Sequence, residues 1–335
     1  MPRTPNPSSD TSRLAVETRD LGRVYKTRNE TVTALSSVDL KVREGELYGV
    51  LGPNGAGKTT PIKILVTLLL PTSGTAKVDG LDVVKDYRRR RPRISIVSGG
   101  ENAGYGILRV REQLWMFSQF YGIRSKVAYA RIDELLERLG LADVANRQIS
   151  GLSSGMRQKM NLVRGLMTDP RVLFLDEPTV ALDVGAARDL REEVSRWMEE
   201  DPTRTVILTT HYMQEADDLC DRIAIVNRGQ IVIEGTPEGL KHEVQKDVVI
   251  DLQLEPGDPV LDRLRAVEGV GAASVREEDG MDRFSLLLVN DAVLTNVISA
   301  VERSGRRVAG LAKRQPTLED AFVELVGRSM TDEEA

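Results

Sequence analysis

From about residue 16 to residue 244, short apolar runs alternate with stretches whose apolar residues recur at helical spacing. That alternation predicts an α/β domain built on a largely parallel sheet. The buried-strand candidates are residues 47–51, 94–97, 172–175, 206–210 and 223–226. Between them Ile132, Leu135, Leu136 and Leu139 fall at i, i+3, i+4 and i+7, the stripe of a helix that faces a core. Trp115, Met116, Phe117 and Phe120 read as helix packing as well.

The pattern then changes. Residues 248–255 alternate as a strand, 261–267 look helical, and 273–277 and 284–289 flank a turn at Glu278-Asp279-Gly280. A helix near 291–303 and a strand near 307–312 follow. A last helix opens at Thr317 with Asp320 three residues on, the spacing of a capping box. The order βαββαβ plus a helix predicts a small ferredoxin-like domain.

Composition narrows the class. With 335 residues, 41% hydrophobic and 29% charged, the chain reads as a soluble globular protein of two unlike domains. The longest apolar run, from Ile64 to Leu70, contains Thr67 and falls far short of the roughly 18 residues that span a bilayer. The first dozen residues carry Pro2, Pro5, Pro7, Ser8, Ser9 and Asp10, with no apolar core of a signal peptide, and read as a polar tail. Cys220, the single cysteine, leaves no internal disulfide and fits a buried structural thiol. A net charge of −5 argues against a nucleic-acid partner. One basic cluster stands out, Arg88 to Arg91 and Arg93: a solvated face, or a contact for anionic lipid headgroups.

The strongest chemical signal is Gly52-Pro53-Asn54-Gly55-Ala56-Gly57-Lys58-Thr59, an unbroken G-x-x-x-x-G-K-[ST] loop between a strand candidate and a helical stretch. Glycines let backbone N–H groups converge on phosphate oxygens, and the following helix start, with Thr60, adds the positive end of its dipole. Lys58 then reaches the β- and γ-phosphates, and the Thr59 hydroxyl can ligate Mg²⁺. Pro61 fits the first helical turn, whose N–H groups have no partner within the helix. The run Val172-Leu173-Phe174-Leu175-Asp176-Glu177 delivers two carboxylates to the C-terminal end of a buried strand, where open α/β sheets bind ligands. Asp176 is the candidate for Mg²⁺ and Glu177 for the base that polarises an attacking water.

Further residues make the chain resemble the ABC family of ATPases along most of its length. Leu152-Ser153-Ser154-Gly155-Met156 is similar to the family's signature loop, Ala181-Leu182-Asp183 to its D-loop, and His211 to its switch histidine. Tyr25 is similar to the aromatic residue that stacks on adenine. The resemblance implies a P-loop ABC-type ATP-binding domain over 15–245, after a tail at 1–14 and before an accessory domain at 246–335. It also implies a head-to-tail dimer, a homodimer in the simplest case, in which Ser153 and Gly155 of one copy complete the ATP site of the other. There are departures. Ser154 and Met156 stand where glycine and glutamine are commonest. The strand at 94–97 runs into Ser98-Gly99-Gly100-Glu101-Asn102 without the family's loop glutamine, leaving Glu101 as the candidate for that place.

Gln315-Pro316-Thr317-Leu318-Glu319-Asp320-Ala321-Phe322 resembles the closing helix of the drug- and antibiotic-export branch, the daunorubicin-resistance type. That branch implies ATP hydrolysis with Mg²⁺ on the cytoplasmic face of the membrane, driving a drug, antibiotic or lipid-like substrate outward through a separate permease. A soluble ABC ATPase without a transport role, or a regulatory nucleotide-binder, are the alternatives at this stage.

Overall fold

The computed structural model describes residues 13–26, 30–100, 105–243, 248–278 and 280–333. Its contacts divide into two compact units, one up to Ile231 and one from Val232 onward.

Apart from the end of Gln230–Gly235, which continues past Ile231, the first unit holds a six-stranded sheet in the order Gln230–Gly235, Arg222–Asn227, Leu47–Leu51, Thr205–Thr210, Val172–Asp176, Ile94–Ser98. The last five pair in parallel, with Val50 opposite Thr209 and Leu175 opposite Leu208. Continuous apolar runs form these strands because both sheet faces are covered; all five residues of Leu47–Leu51 and all six of Thr205–Thr210 are buried. Parallel strands put all their C-terminal ends on one edge, which is where the acidic pair and the phosphate loop emerge.

A second sheet was not foreseen. The long strand Leu14–Lys26 pairs antiparallel with Thr31–Val38, Lys41–Arg43 and Ser73–Val78, and the last pairs with Leu81–Asp82. Register shifts near Leu21 and Arg23 and a mixed burial pattern blur the alternation that would have marked this strand. Val16, Leu21, Leu35, Val42 and Val78 from this sheet share one core with Tyr48, Phe174 and Ile207 of the parallel one.

Three helices, Val110–Phe120, Ser125–Arg138 and Ser154–Leu166, pack against one another. The stripe of Ile132, Leu135, Leu136 and Leu139 is buried as expected. The aromatic stripe needs correcting. Along Val110–Phe120 it is Val110, Gln113, Leu114 and Ser118 that are buried, whereas Phe120 is 73% exposed. Trp115, Met116 and Phe117 are half-buried; Trp115 stacks on Tyr129 and the Arg164 guanidinium lies 5.1 Å from the Phe117 ring. Cys220 caps the end of Met213–Leu219 and is buried, and burial pushes its thiol well above the usual range, so it is inert.

The second unit contains an antiparallel sheet in the order Val270–Glu278, Met281–Leu288, Val248–Leu254, Val308–Arg314. With helices Leu261–Arg265 and Val293–Arg303 between its strands, this is the split βαβ arrangement of ferredoxin-like domains. Val297 and Val301 pack with Phe284, Leu286 and Leu252 in its core. The closing helix Leu318–Glu333 is anchored at its start. Thr317 donates from its backbone N–H (2.7 Å) and its hydroxyl (2.8 Å) to Asp320, whose N–H donates back to the Thr317 hydroxyl at 3.4 Å. Arg314 joins this cap to the sheet, donating to Asp320, to Asp251 at 2.9 Å and to Ser285 at 3.0 Å.

Burial alone would raise the Asp320 carboxyl, but the bonds from Arg314 and Thr317 outweigh it and hold the group below the aspartate value of 3.8. A lowered folded-state value means that the stabilisation is full above the unfolded-state value and is lost as pH falls through the folded one. Asp320→Asn is therefore expected to lower stability by about 1.5–3 kcal/mol near neutral pH, the usual contribution of hydrogen bonds to charged groups. The gap between the two melting curves should close as the pH is taken down through the aspartate range; a gap independent of pH would refute the charge argument.

Candidate active site

The phosphate loop leaves the buried strand Leu47–Leu51 and enters the short helix Thr59–Leu65, with Lys58 at its cap. Pro61 lies in the first turn, as its missing N–H allows. Gly57 adopts φ +101°, and a Cβ there would sit 2.8 Å from the Ala34 carbonyl oxygen, so only glycine fits. The Ala56 carbonyl accepts from the Gly229 N–H at 2.8 Å, which ties the loop to the turn after Arg222–Asn227. Together these segments line an open groove of about 370 Å³, walled by Val32, Thr33, Asn54, Gly55, Lys58 and Arg228 among others. Thr59, Thr60 and Glu177 also face it.

Lys58 is almost fully buried and extends back along its own loop. Its ammonium donates to the carbonyls of Gly52 (2.8 Å) and Pro53 (3.0 Å) and lies 3.1 Å from Glu177 Oε1. The other oxygen of Glu177 lies 3.3 Å from His211 Nδ1. One carboxylate thus stands between the loop lysine and the histidine behind strand Thr205–Thr210. Glu177 holds φ +50°, a left-handed conformation that costs a non-glycine residue about 1 kcal/mol or more. Its N–H is held by the carbonyl (3.0 Å) and the hydroxyl (3.1 Å) of Thr209.

Asp176, one residue earlier, is the last residue of the strand. Its Oδ1 accepts from the Thr59 hydroxyl at 3.1 Å and from the Thr209 hydroxyl at 2.5 Å. A carboxylate and a hydroxyl converging beside a phosphate loop are the hard oxygen donors that Mg²⁺ prefers. Among the described residues no group of three or more His, Cys, Asp or Glu side chains could hold a metal by itself. The donor set therefore fits an ion that completes its shell with phosphate and water.

Tyr25, Ser153 and Gly155 lie outside this groove's lining, as do Gly52, Pro53, Ala56, Asp176 and His211. Tyr25 pairs in the sheet with Val32, which does line it, and the Arg23 guanidinium lies 4.7 Å from the Tyr25 ring centroid. Ser153 caps helix Ser154–Leu166 by accepting from the Met156 N–H at 3.2 Å. Gly155 packs beside Ala186 at the start of helix Val184–Glu200, which Asp183 caps at 2.8 Å. Glu101 lies outside the described residues.

Residues 35–180 match the profile of the ABC transporter family. The chain is 37% identical to the daunorubicin resistance ATP-binding protein DrrA3 of Streptomyces coeruleorubidus, over 90% of this chain and 94% of that protein. It is 32% identical to the linearmycin resistance ATP-binding protein LnrL of Bacillus subtilis (strain 168), over 90% of this chain and 96% of that one. Among solved structures, the dimeric ATP-binding cassette MJ0796 bound to ADP and Pi superposes with a TM-score of 0.60 at 26% identity, covering 66% of this chain and 98% of that one. The chain belongs to the ABC transporter ATP-binding family, in its daunorubicin-resistance branch. It is an ATP-hydrolysing subunit of a transporter.

Sequence reasoning missed two groups at this ABC site. Thr209 holds both acidic residues, but a threonine inside an apolar strand carries no signal by itself. Gly99 begins the loop that lacks the family's glutamine. Its N–H donates to the Asp176 carbonyl at 2.8 Å, and a Cβ at this position would overlap the Glu177 carbonyl oxygen. Gly99→Ala is therefore expected to cost about 1–3 kcal/mol, the usual range for overpacking, and to lower ATP turnover more than nucleotide affinity by displacing Glu177. Thermal melts with steady-state kinetics check this; unchanged turnover would show that the acidic turn does not depend on position 99.

Proposed function

We propose that this ATPase subunit powers export of a drug-, antibiotic- or lipid-like molecule through a separate membrane permease, on the cytoplasmic face of the membrane. The observation that carries the reading is the alignment, over about nine-tenths of the chain, with proteins named for daunorubicin resistance, linearmycin resistance and Nod factor export. Because 305 aligned residues exceed the first unit, the likeness extends into the second. Among the described residues no helix is long and apolar enough to cross a membrane, which supports a permease on another chain.

In this reading the backbone N–H groups from Asn54 to Thr60 receive the phosphates and Tyr25 stacks on adenine. The triphosphate draws the Lys58 ammonium away from the Gly52 and Pro53 carbonyls and from Glu177. Released from that ion pair, Glu177 takes a proton from the water that attacks the γ-phosphorus, and ADP leaves. His211, already beside Glu177, steadies the γ-phosphate and the water. Thr59 and Asp176 hold Mg²⁺, which when bound offsets charge on the β- and γ-phosphates.

The position of Ser153 and Gly155, outside the groove of their own chain, suits a role in a second copy. There the capped helix start would complete the γ-phosphate cradle, so that ATP holds a head-to-tail homodimer together. The dimeric arrangement of the similar cassette MJ0796 supports this.

Lys58→Ala is expected to abolish ATP turnover, and full activity in that variant would exclude the phosphate-loop assignment. Glu177→Gln removes a base while leaving the binding groups. It should slow hydrolysis by about 10²–10⁴-fold and accumulate an ATP-bound dimer on size-exclusion chromatography; a monomer that turns over normally would show that the base lies elsewhere. Affinity capture from gently solubilised native membranes tests the transport partner. A polytopic membrane protein in stoichiometric amount is expected, and a ribosomal partner would overturn the export reading.

A further inference from the structure

The ATPase site makes no use of the basic cluster before strand Ile94–Ser98. Residues 85–93 carry one lysine and five arginines against one aspartate, in a chain whose net charge is −5. They fold as the short helix Tyr87–Arg90 and the 3₁₀ turn Arg91–Arg93. The half-exposed Tyr87 ring has the guanidinium carbons of Arg88 and Arg91 at 5.7 and 5.5 Å from its centroid, and the Arg88 Nε donates to its hydroxyl at 3.0 Å.

Acidic residues nearby are already engaged. Asp79 is paired with Arg93 and, at 2.9 Å, with Arg13. Asp82 accepts the backbone N–H groups of Val84 and Lys85 at 2.8 and 2.9 Å. Asp86 stands 3.9 Å from Arg89, whose side chain is 75% exposed. Positive charge therefore dominates this surface.

Apolar side chains lie beside it. Val84 is 47% exposed three residues before Tyr87. The Arg91 Nε reaches the Thr67 hydroxyl at 3.5 Å, which sets Leu68, 69% exposed, next to the arginines. Guanidinium groups around a tyrosine, with aliphatic side chains beside them, match the boundary between lipid headgroups and acyl chains. A nucleic-acid surface would call for charge spread over a longer face, without projecting aliphatics.

We propose that Leu68, Val84, Tyr87, Arg88, Arg89 and Arg91 form a surface that docks on a bilayer carrying anionic lipids. The patch enters strand Ile94–Ser98 at its Ile94 end, whereas Asp176 pairs with the opposite end at Ser98, so lipid contact leaves the ATP groove open. The inference goes beyond coupling to a permease: the ATPase subunit would touch the membrane itself.

The test is co-sedimentation of the purified full chain with vesicles of phosphatidylcholine alone, or with a third of it replaced by phosphatidylglycerol. The protein should partition onto the anionic vesicles only, and release at about 0.5 M salt, where the screening length falls to a few ångströms. Each basic residue at such a surface changes partitioning about fivefold, so Arg88→Gln with Arg89→Gln should weaken it by roughly 25-fold, with ATP turnover unchanged. Leu68→Ser with Tyr87→Ser should weaken it without altering the salt response. Equal partitioning of wild type and the arginine variant would overturn the proposal, as would no binding to anionic vesicles. Displacement by millimolar inorganic phosphate would overturn it in favour of a free-phosphate site, and binding to duplex DNA in place of vesicles in favour of nucleic acid. No permease is present in these vesicles, so failure here leaves the export reading standing.

Discussion

Everything in the catalytic half depends on a single carboxylate held between two partners. Glu177 stands 3.1 Å from the Lys58 ammonium and 3.3 Å from His211, at the end of a strand buried along nearly its whole length. The group is a quarter exposed, so the ion pair contributes little to stability. Its importance is positional. It joins the phosphate loop, the acidic strand and the histidine loop, which come from sequence positions more than a hundred and fifty residues apart.

That geometry has a cost, and neighbouring groups offset it. A glutamate at φ +50° is strained, and two bonds from its N–H to Thr209 hold it there. Thr209 also donates to Asp176. One threonine thereby sets the directions of both acids, although Glu177, past the strand's end at φ +50°, does not follow strand alternation. Gly99 packs against the same turn from the neighbouring strand, so the loop that departs from the family pattern still touches the reacting group. With no room for a Cβ at position 99, a glutamine could not occupy that position on this backbone.

In the second unit the corresponding organiser is Arg314. It fastens the cap of the closing helix to the sheet through Asp320, Asp251 and Ser285. The Thr317 and Asp320 capping box was legible from three-residue spacing alone, because a cap is a local hydrogen-bond pattern. The arginine that makes it part of the sheet was not, since its partners lie up to 63 residues away.

The same division runs through the whole chain. Parallel strands were readable because burial on both faces demands unbroken apolar runs. The phosphate loop was readable because its backbone requires glycine and its ligand requires lysine and a hydroxyl at fixed offsets. The antiparallel sheet was hidden by the bulges in Leu14–Lys26, and the exposed aromatics of Val110–Phe120 carried an apolar pattern without the burial. The sequence by itself determined the elements and the chemical groups, since spacing and backbone preference are local. Only the tertiary structure decided which groups meet. The roles of Thr209 and Gly99 depend on strand register and close packing, which no short window of sequence contains.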